Sequence, residues 1–331
     1  MFEWVTANNP ISFPKLGFEI DPPLGFQIGS FEVRFYGLII AIGMVLSVIY
    51  GLKRSRQFGL KQEDILDGFL WIMPVSVICA RLYYCILEWG QYKANPISVL
   101  HVWEGGLAIY GAVLGAALCV ILFSKIKKVR LAAVLDLVAL SFLIGQCIGR
   151  WGNFFNREAH GSVTDFFLGM HMYSDSTYTT DTYHPTFLYE SLWNLAGFIL
   201  LHFLSKKRKY DGQIALGYVA WYGLGRTFIE GLRTDSLYFM REVLGDKVRF
   251  SQVLAAVSCI IAVVVLVLKY FHPPKKELFV AEQERLATET DGSEEESVCE
   301  EETAEEETSE ESEETEETTE ETEEVTEETE E

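Results

Sequence analysis

The stretch GRWGNFFNREAHG, residues 149 to 161, follows the apolar run VLDLVALSFLIGQCI and sets two arginines, a glutamate, a histidine and two asparagines at its end. A second stretch, YGLGRTFIEGLR, spaces Tyr222, Arg226 and Glu230 four residues apart. On a helix these three share one face, and Arg233 continues it three residues on. A guanidinium is a planar, permanently charged fork that matches phosphate or carboxylate oxygens two at a time. Two chemistries fit such a pattern. Arg and Glu paired between helices would staple them together, whereas arginines in excess over acids would hold an anionic guest that completes the site. Arg34, Arg81, Arg150, Arg157, Arg226 and Arg233 outnumber Glu104, Glu158, Glu190 and Glu230, and this surplus favours a phosphate oxyanion.

The elements that carry these residues are apolar runs long enough to cross a hydrocarbon core of ~30 Å at ~1.5 Å per helical residue. Seven are present, at about 31–52, 64–87, 105–124, 131–149, 186–205, 212–232 and 250–270. They predict an all-α polytopic membrane protein of seven transmembrane helices, with a small extracytoplasmic head between helices 4 and 5. The N-terminal stretch MFEWVTANNPISFPKLGFEIDPPLG lacks the basic flank and cleavage site of a signal peptide, so the first run is expected to stay as a spanning helix.

Orientation follows from the short basic loops. KRSRQFGLK follows run one, SKIKKVR run three, SKKRK run five and KYFHPPKK run seven. Their alternation puts the N-terminus outside and the C-terminus in the cytoplasm. The loop RTDSLYFMREVLGDKVR opposes this count with Arg233, Arg241, Lys247 and Arg249, and four cytoplasmic clusters outvote it. Depth then groups the polar residues at outer helix ends. Tyr36 accompanies Arg34 in run one, and Tyr84 accompanies Arg81 in run two. Trp103, Glu104 and Tyr110 open run three, Asn153, Asn156 and Glu158 follow run four, and His184, Tyr189 and Glu190 open run five. Asp136, alone near the inner start of run four, reads as a dipole or capping residue.

The net charge of −21 belongs to a tail, because residues 277–331 hold 28 of the 48 acids and one of the 27 basic residues. Residues 1–276 carry about +6 and form the membrane domain, while 277–331 has too few apolar side chains to order itself and is expected to be a disordered acidic cytoplasmic tail. Cys79, Cys85, Cys119, Cys147 and Cys259 lie in membrane runs and Cys299 in the tail, with no CxxC pair. His184 reads as a helix-start residue, and none of the histidines has metal-ligand spacing, so no metal is expected. The absence of a Walker or GxGxxG loop leaves nucleotide chemistry unsupported, and no nucleic-acid partner is expected. Gly111 and Gly115 form a GxxxG that lets backbones approach. A rival class, a seven-helix transporter or channel for an anionic solute, would carry midplane charges, internal repeats or broken helices. No repeat is found here, and the charges gather at one face.

GRWGNFFNREAHG, in company and order with RFYG, WEGGLAIYGA, HPTFLYE and YGLGRTFIEGLR, resembles the signature of the bacterial phosphatidylglycerol:prolipoprotein diacylglyceryl transferases. The resemblance covers roughly residues 12 to 270 and leaves out the tail. It implies seven spanning helices in the plasma membrane, the N-terminus outside, and an active site near the outer leaflet. It also implies transfer of the diacylglyceryl group of phosphatidylglycerol to the lipobox cysteine of a preprolipoprotein, forming a thioether and releasing glycerol phosphate without a cofactor. The partners implied are phosphatidylglycerol, the lipobox segment and the bilayer. Carried over by residue, Arg150 is the lipid-binding arginine with Asn153, Glu158 and Gly161 as companions. Tyr36, Tyr222, Arg226 and Glu230 match the family's catalytic positions. Tyr110 stands where many members have a histidine proposed as the base. A phenol ordinarily ionises near pH 10 and makes a poor general base, so either Tyr110 substitutes by hydrogen bonding or the base lies elsewhere. The expected clamp has Arg150 and Arg226 on one phosphate, oriented by Glu158 and Glu230, with Asn153 adding a neutral hydrogen bond.

Overall fold

The structure, a computed structural model, describes residues 2–6, 10–102, 105–171, 181–233, 249–274 and 277–288. Each apolar run becomes a helix, since a backbone in hydrocarbon must satisfy its own hydrogen bonds. The long helices are α1 (Phe35–Arg54), α2 (Gln62–Leu87), α4 (Ile109–Ile126), α5 (Leu131–Asn156), α6 (Thr186–Ser205), α7 (Gln213–Glu230) and α8 (Phe250–Phe271), with a single turn, α3 (Trp89–Tyr92), after α2. Among the described residues six helices are long and apolar enough to cross a membrane. The long helix outside that set is α7, whose Tyr, Gly, Arg and Glu dilute its hydropathy. The chain is a polytopic membrane protein.

Large apolar side chains point outward along these helices, as lipid-facing surfaces require, including Ile78, Leu114, Phe203 and Ile260 at 57–63 % exposure. α5 is central and packs against α1, α6 and α7, while α7 also packs on α8 and α4 on α2. The GxxxG spacing does what it predicts. A Cβ on Gly111 would meet the Cys79 carbonyl oxygen at 2.5 Å, and one on Gly115 would meet the Cys79 Cβ at 2.6 Å. α4 therefore touches α2 through backbone.

At the end bearing the basic loops, Phe58, Leu137, Leu140, Ile214 and Phe279 form one buried cluster. Asp136, fully buried, accepts hydrogen bonds from the Gly212 and Ala215 amides at 2.8 Å each. Its expected capping role is real, but the helix it caps is α7, a neighbour, rather than its own. The helical unit runs to Phe279, whose amide donates to Asp211 at 2.9 Å and whose ring lies under Arg130. Residues 279–288 are helical, and the rest of the acidic tail lies outside the described residues.

At the other end the expectation of a purely α chain misses seven short strands. β1 (Phe2–Val5), β4 (Gly25–Ile28) and β5 (Phe31–Arg34) make an antiparallel sheet in the order β1-β4-β5. β2 (Ile11–Phe13), β3 (Phe18–Ile20), β6 (Met170–His171) and β7 (Thr182–Tyr183) make a second, ordered β3-β2-β6-β7. The head between α5 and α6 is thus shared with the N-terminal segment. Strands this short carry almost no periodic signal of their own. Most pair with strands nearby in the chain, but the second sheet is joined by a distant pairing of β2 with β6, where Ser12 meets His171.

Candidate active site

Three arginines converge on one carboxylate. Glu190, 3 % exposed in the second turn of α6, is contacted by Arg150 Nη2 of α5 at 2.5 Å, Arg226 Nη1 of α7 at 2.8 Å and Arg233 Nη1 at 3.5 Å. Arg226 also reaches Glu230 at 2.5 Å through the i,i+4 face that the sequence spacing predicts. Ser251 donates to the other oxygen of Glu230 at 2.5 Å, and Arg249 donates to its backbone carbonyl. The N–H vectors of Arg150 and Arg226 miss the Oε2 atoms of Glu190 and Glu230, which accept no hydrogen bond. A guanidinium carries five N–H donors, so both forks keep donors to aim at another oxyanion. Among the described residues, Arg150, Arg226 and Arg233 thus gather on the two buried carboxylates Glu190 and Glu230.

Of the six arginines counted against four acids, these three converge on Glu190 and the others have partners elsewhere. Arg81, 4 % exposed, is spent on loop carbonyls, donating to Val99 at 2.9 Å, Ser98 at 2.7 Å and Gly105 at 2.5 Å. Arg34 pairs with Glu32 at 2.7 Å on the surface. Arg157 takes a left-handed φ of 54° after α5 and donates to Asp21 at 2.7 Å and to the Pro22 carbonyl. Burial lowers its pKa and Asp21 opposes that shift. Glu104, with Trp103, lies outside the described residues, as do Arg241 and Lys247.

The orienting carboxylate of Arg150 also differs from expectation. Glu158 is exposed and meets Asn153 Nδ2 at 2.9 Å instead, while Asn153 Oδ1 lies 3.4 Å from Arg150 Nη1. Glu158 thus acts on the arginine through Asn153, and Glu190 takes the direct place. A charge count by depth cannot separate these two acids, because it carries no lateral position.

A family model described as prolipoprotein diacylglyceryl transferase matches residues 23–268, which takes in every residue of this cluster. The chain belongs to that family. A phosphatidylglycerol--prolipoprotein diacylglyceryl transferase of Listeria monocytogenes is 44 % identical over 264 residues, covering 76 % of this chain and 92 % of the relative. Relatives of the same name from Bacillus velezensis and Ligilactobacillus salivarius are 40 % and 39 % identical, over 75 % and 76 % of this chain and 92 % and 94 % of theirs.

Within the prolipoprotein diacylglyceryl transferase signature, Gly161 is a close-approach residue. A Cβ there would meet His184 Cβ at 2.7 Å and the Leu232 carbonyl oxygen at 3.0 Å. Its backbone bridges Arg233, and its amide donates to the His184 carbonyl at 2.9 Å. It therefore seats the segment after α7 that carries Arg233 to Glu190. His184 sits before α6 with its Nδ1 3.2 Å from the Tyr189 hydroxyl, and burial lowers its pKa, which favours the neutral ring. The Tyr36 ring packs where a Cβ on Gly152 would stand, within electrostatic reach of Arg150 and Glu158. Tyr222 stacks on Tyr218 at 5.6 Å and lines a small pocket with Glu190 and Arg226. Tyr110 stands in the first turn of α4, in the layer packed on α2, whereas the arginine cluster is drawn from α5, α6 and α7. Glu190 was legible in HPTFLYE as an acid at the right depth; Arg249 was legible only as part of a basic outer loop and Ser251 not at all, since the packing of α8 on α7 brings them to Glu230.

Proposed function

We propose that the chain transfers the diacylglyceryl group of phosphatidylglycerol to the lipobox cysteine thiol of preprolipoproteins, the first step of lipoprotein maturation. The observation that carries this reading is the convergence of Arg150, Arg226 and Arg233 on buried Glu190, beside a pocket open to Arg226 and Tyr222. The names of the relatives supply donor and acceptor, and nothing favours the anion transporter or channel over them.

In the reaction a cysteine sulfur forms a bond to the glyceryl carbon as the bond from that carbon to the phosphate oxygen breaks. Glycerol phosphate leaves with the electron pair, and the thiol proton passes to a base. Arg150 and Arg226 grip the phosphate from two helices and stabilise the charge that develops on it. The same cations favour the thiolate. Glu190 and Glu230 hold the guanidiniums in place, Asn153 adds a neutral hydrogen bond and is braced by Glu158, and Gly161 seats Arg233. Tyr36 and Tyr222 border the lipid site, and Tyr110 enters as a hydrogen-bonding substitute for the family's histidine.

The reading includes seven crossings, with α7 spanning because its polar stripe is covered by α5, α6 and α8. The basic loops put the N-terminus outside, the acidic tail in the cytoplasm, and the cluster near the outer leaflet of the plasma membrane. The test is to incubate the purified protein with phosphatidylglycerol and a lipobox peptide. The expected result is a peptide mass gain of one diacylglyceryl unit with release of glycerol phosphate, and absence of that product refutes the proposal.

A further inference from the structure

The pocket between α6 and α7 has two levels. Glu190 and Arg226 line one level; one helical turn further along each antiparallel helix lie Asn194 and Tyr222. Beside that second level Trp193 and Trp221 clasp each other. Each indole N–H donates to the other's backbone carbonyl, at 3.0 and 2.9 Å, and the rings stack at 4.5 Å and 19°. Each ring fills the place of a missing side chain, Trp193 at Gly225 and Trp221 at Gly197. The clasp fixes the spacing of the two helices beside the pocket. Asn194 is 2 % exposed, lines the pocket, and makes no side-chain hydrogen bond among the described residues. Its amide lines the pocket with donor and acceptor uncommitted, so both are open to a group that enters there.

We propose that Asn194 is a second recognition point for the donor lipid, donating from its side-chain amide to an acyl-ester carbonyl of the diacylglyceryl group. This rests on the transfer reading above. Four residues of helix rise ~6 Å, which is the scale separating a glycerophospholipid phosphate from its ester carbonyls. With the phosphate on Arg226 and Arg150, those carbonyls reach the level of Asn194. A neutral donor suits a neutral acceptor at this depth, where a second charge would have to be desolvated. The pocket would then read the ester linkage as well as the headgroup charge.

The test compares phosphatidylglycerol with its dialkyl ether analogue, which keeps the phosphate and loses both carbonyls. The two donors are measured in the same detergent micelles with the same lipobox peptide. The wild-type chain is expected to prefer the diester in kcat/KM by about five-fold, the size of a neutral hydrogen bond. Asn194→Ala is expected to lose that preference, the two donors being used at equal kcat/KM. The ratio of the two donors on one preparation does not depend on the fraction folded, so a destabilised variant still reports. A diester preference unchanged in Asn194→Ala overturns the inference while leaving the transfer reading intact. A wild-type chain that transfers from neither lipid refutes the transfer reading and this inference with it.

Discussion

Arg150→Lys keeps the charge at the end of α5 and removes the fork. In the structure the two arms of Arg150 point to different groups, Nη2 to Glu190 at 2.5 Å and Nη1 toward Asn153 at 3.4 Å. A lysine ammonium is a single point and cannot hold Glu190 and a phosphate oxygen in one plane. The variant should lose one charge-assisted hydrogen bond in the transition state, worth roughly 1.5–3 kcal/mol. At ~1.4 kcal/mol per factor of ten, that is a fall of roughly ten- to a hundred-fold in kcat/KM. Arg150→Lys should therefore resemble Arg150→Ala more than the wild type. The assay is diacylglyceryl transfer to a lipobox peptide, normalised to folded protein recovered in detergent. If Arg150 were only a staple between helices, the yield would fall and activity per folded molecule would hold. A well-folded Arg150→Lys protein with near wild-type transfer refutes the phosphate clamp.

Glu190→Gln removes the carboxylate shared by three guanidiniums that are themselves 11–23 % exposed. Arg226 keeps Glu230, but the part-buried guanidiniums lose a shared charge-assisted partner, which should lower stability by ~1.5–3 kcal/mol, read as thermal unfolding in detergent; an unchanged transition rejects Glu190 as the hub. Gly161→Ala puts a methyl within 2.7 Å of His184 Cβ and should cost ~1–3 kcal/mol as the segment shifts. Transfer activity should fall with it as Arg233 moves, and wild-type stability and rate together would count against the close approach. Asp136→Asn exchanges one acceptor for an amide N–H that faces a backbone donor of α7. The cost should be ~1–3 kcal/mol in stability, with activity per folded molecule unchanged; a selective loss of activity would contradict a purely capping role.

The sequence by itself determined the helices and the family. An apolar run of about twenty residues must form a helix in hydrocarbon whatever surrounds it, because its backbone has no other partner. The Tyr222, Arg226 and Glu230 face was legible for the same local reason, since i,i+4 positions are neighbours on any helix. Gly111 and Gly115 announced a close helix contact in the same way. Lateral position was decided by tertiary structure alone. Arg81 and Arg226 sit at like depth on the sequence reading, yet one is consumed by the loop after α2 and the other faces Glu190. Depth along a helix comes from the sequence, but the direction a residue faces depends on how each helix is rotated against its neighbours. That rotation is set by packing between helices that are separate in the chain. The same limit hid the strand pairings of the head, the choice of Glu190 over Glu158 beside Arg150, and the capping of α7 by an aspartate on α5. Each is a contact between groups whose separation in the chain carries no periodic signal, so only the assembled fold brings them within the few ångströms at which charge and hydrogen bonding act.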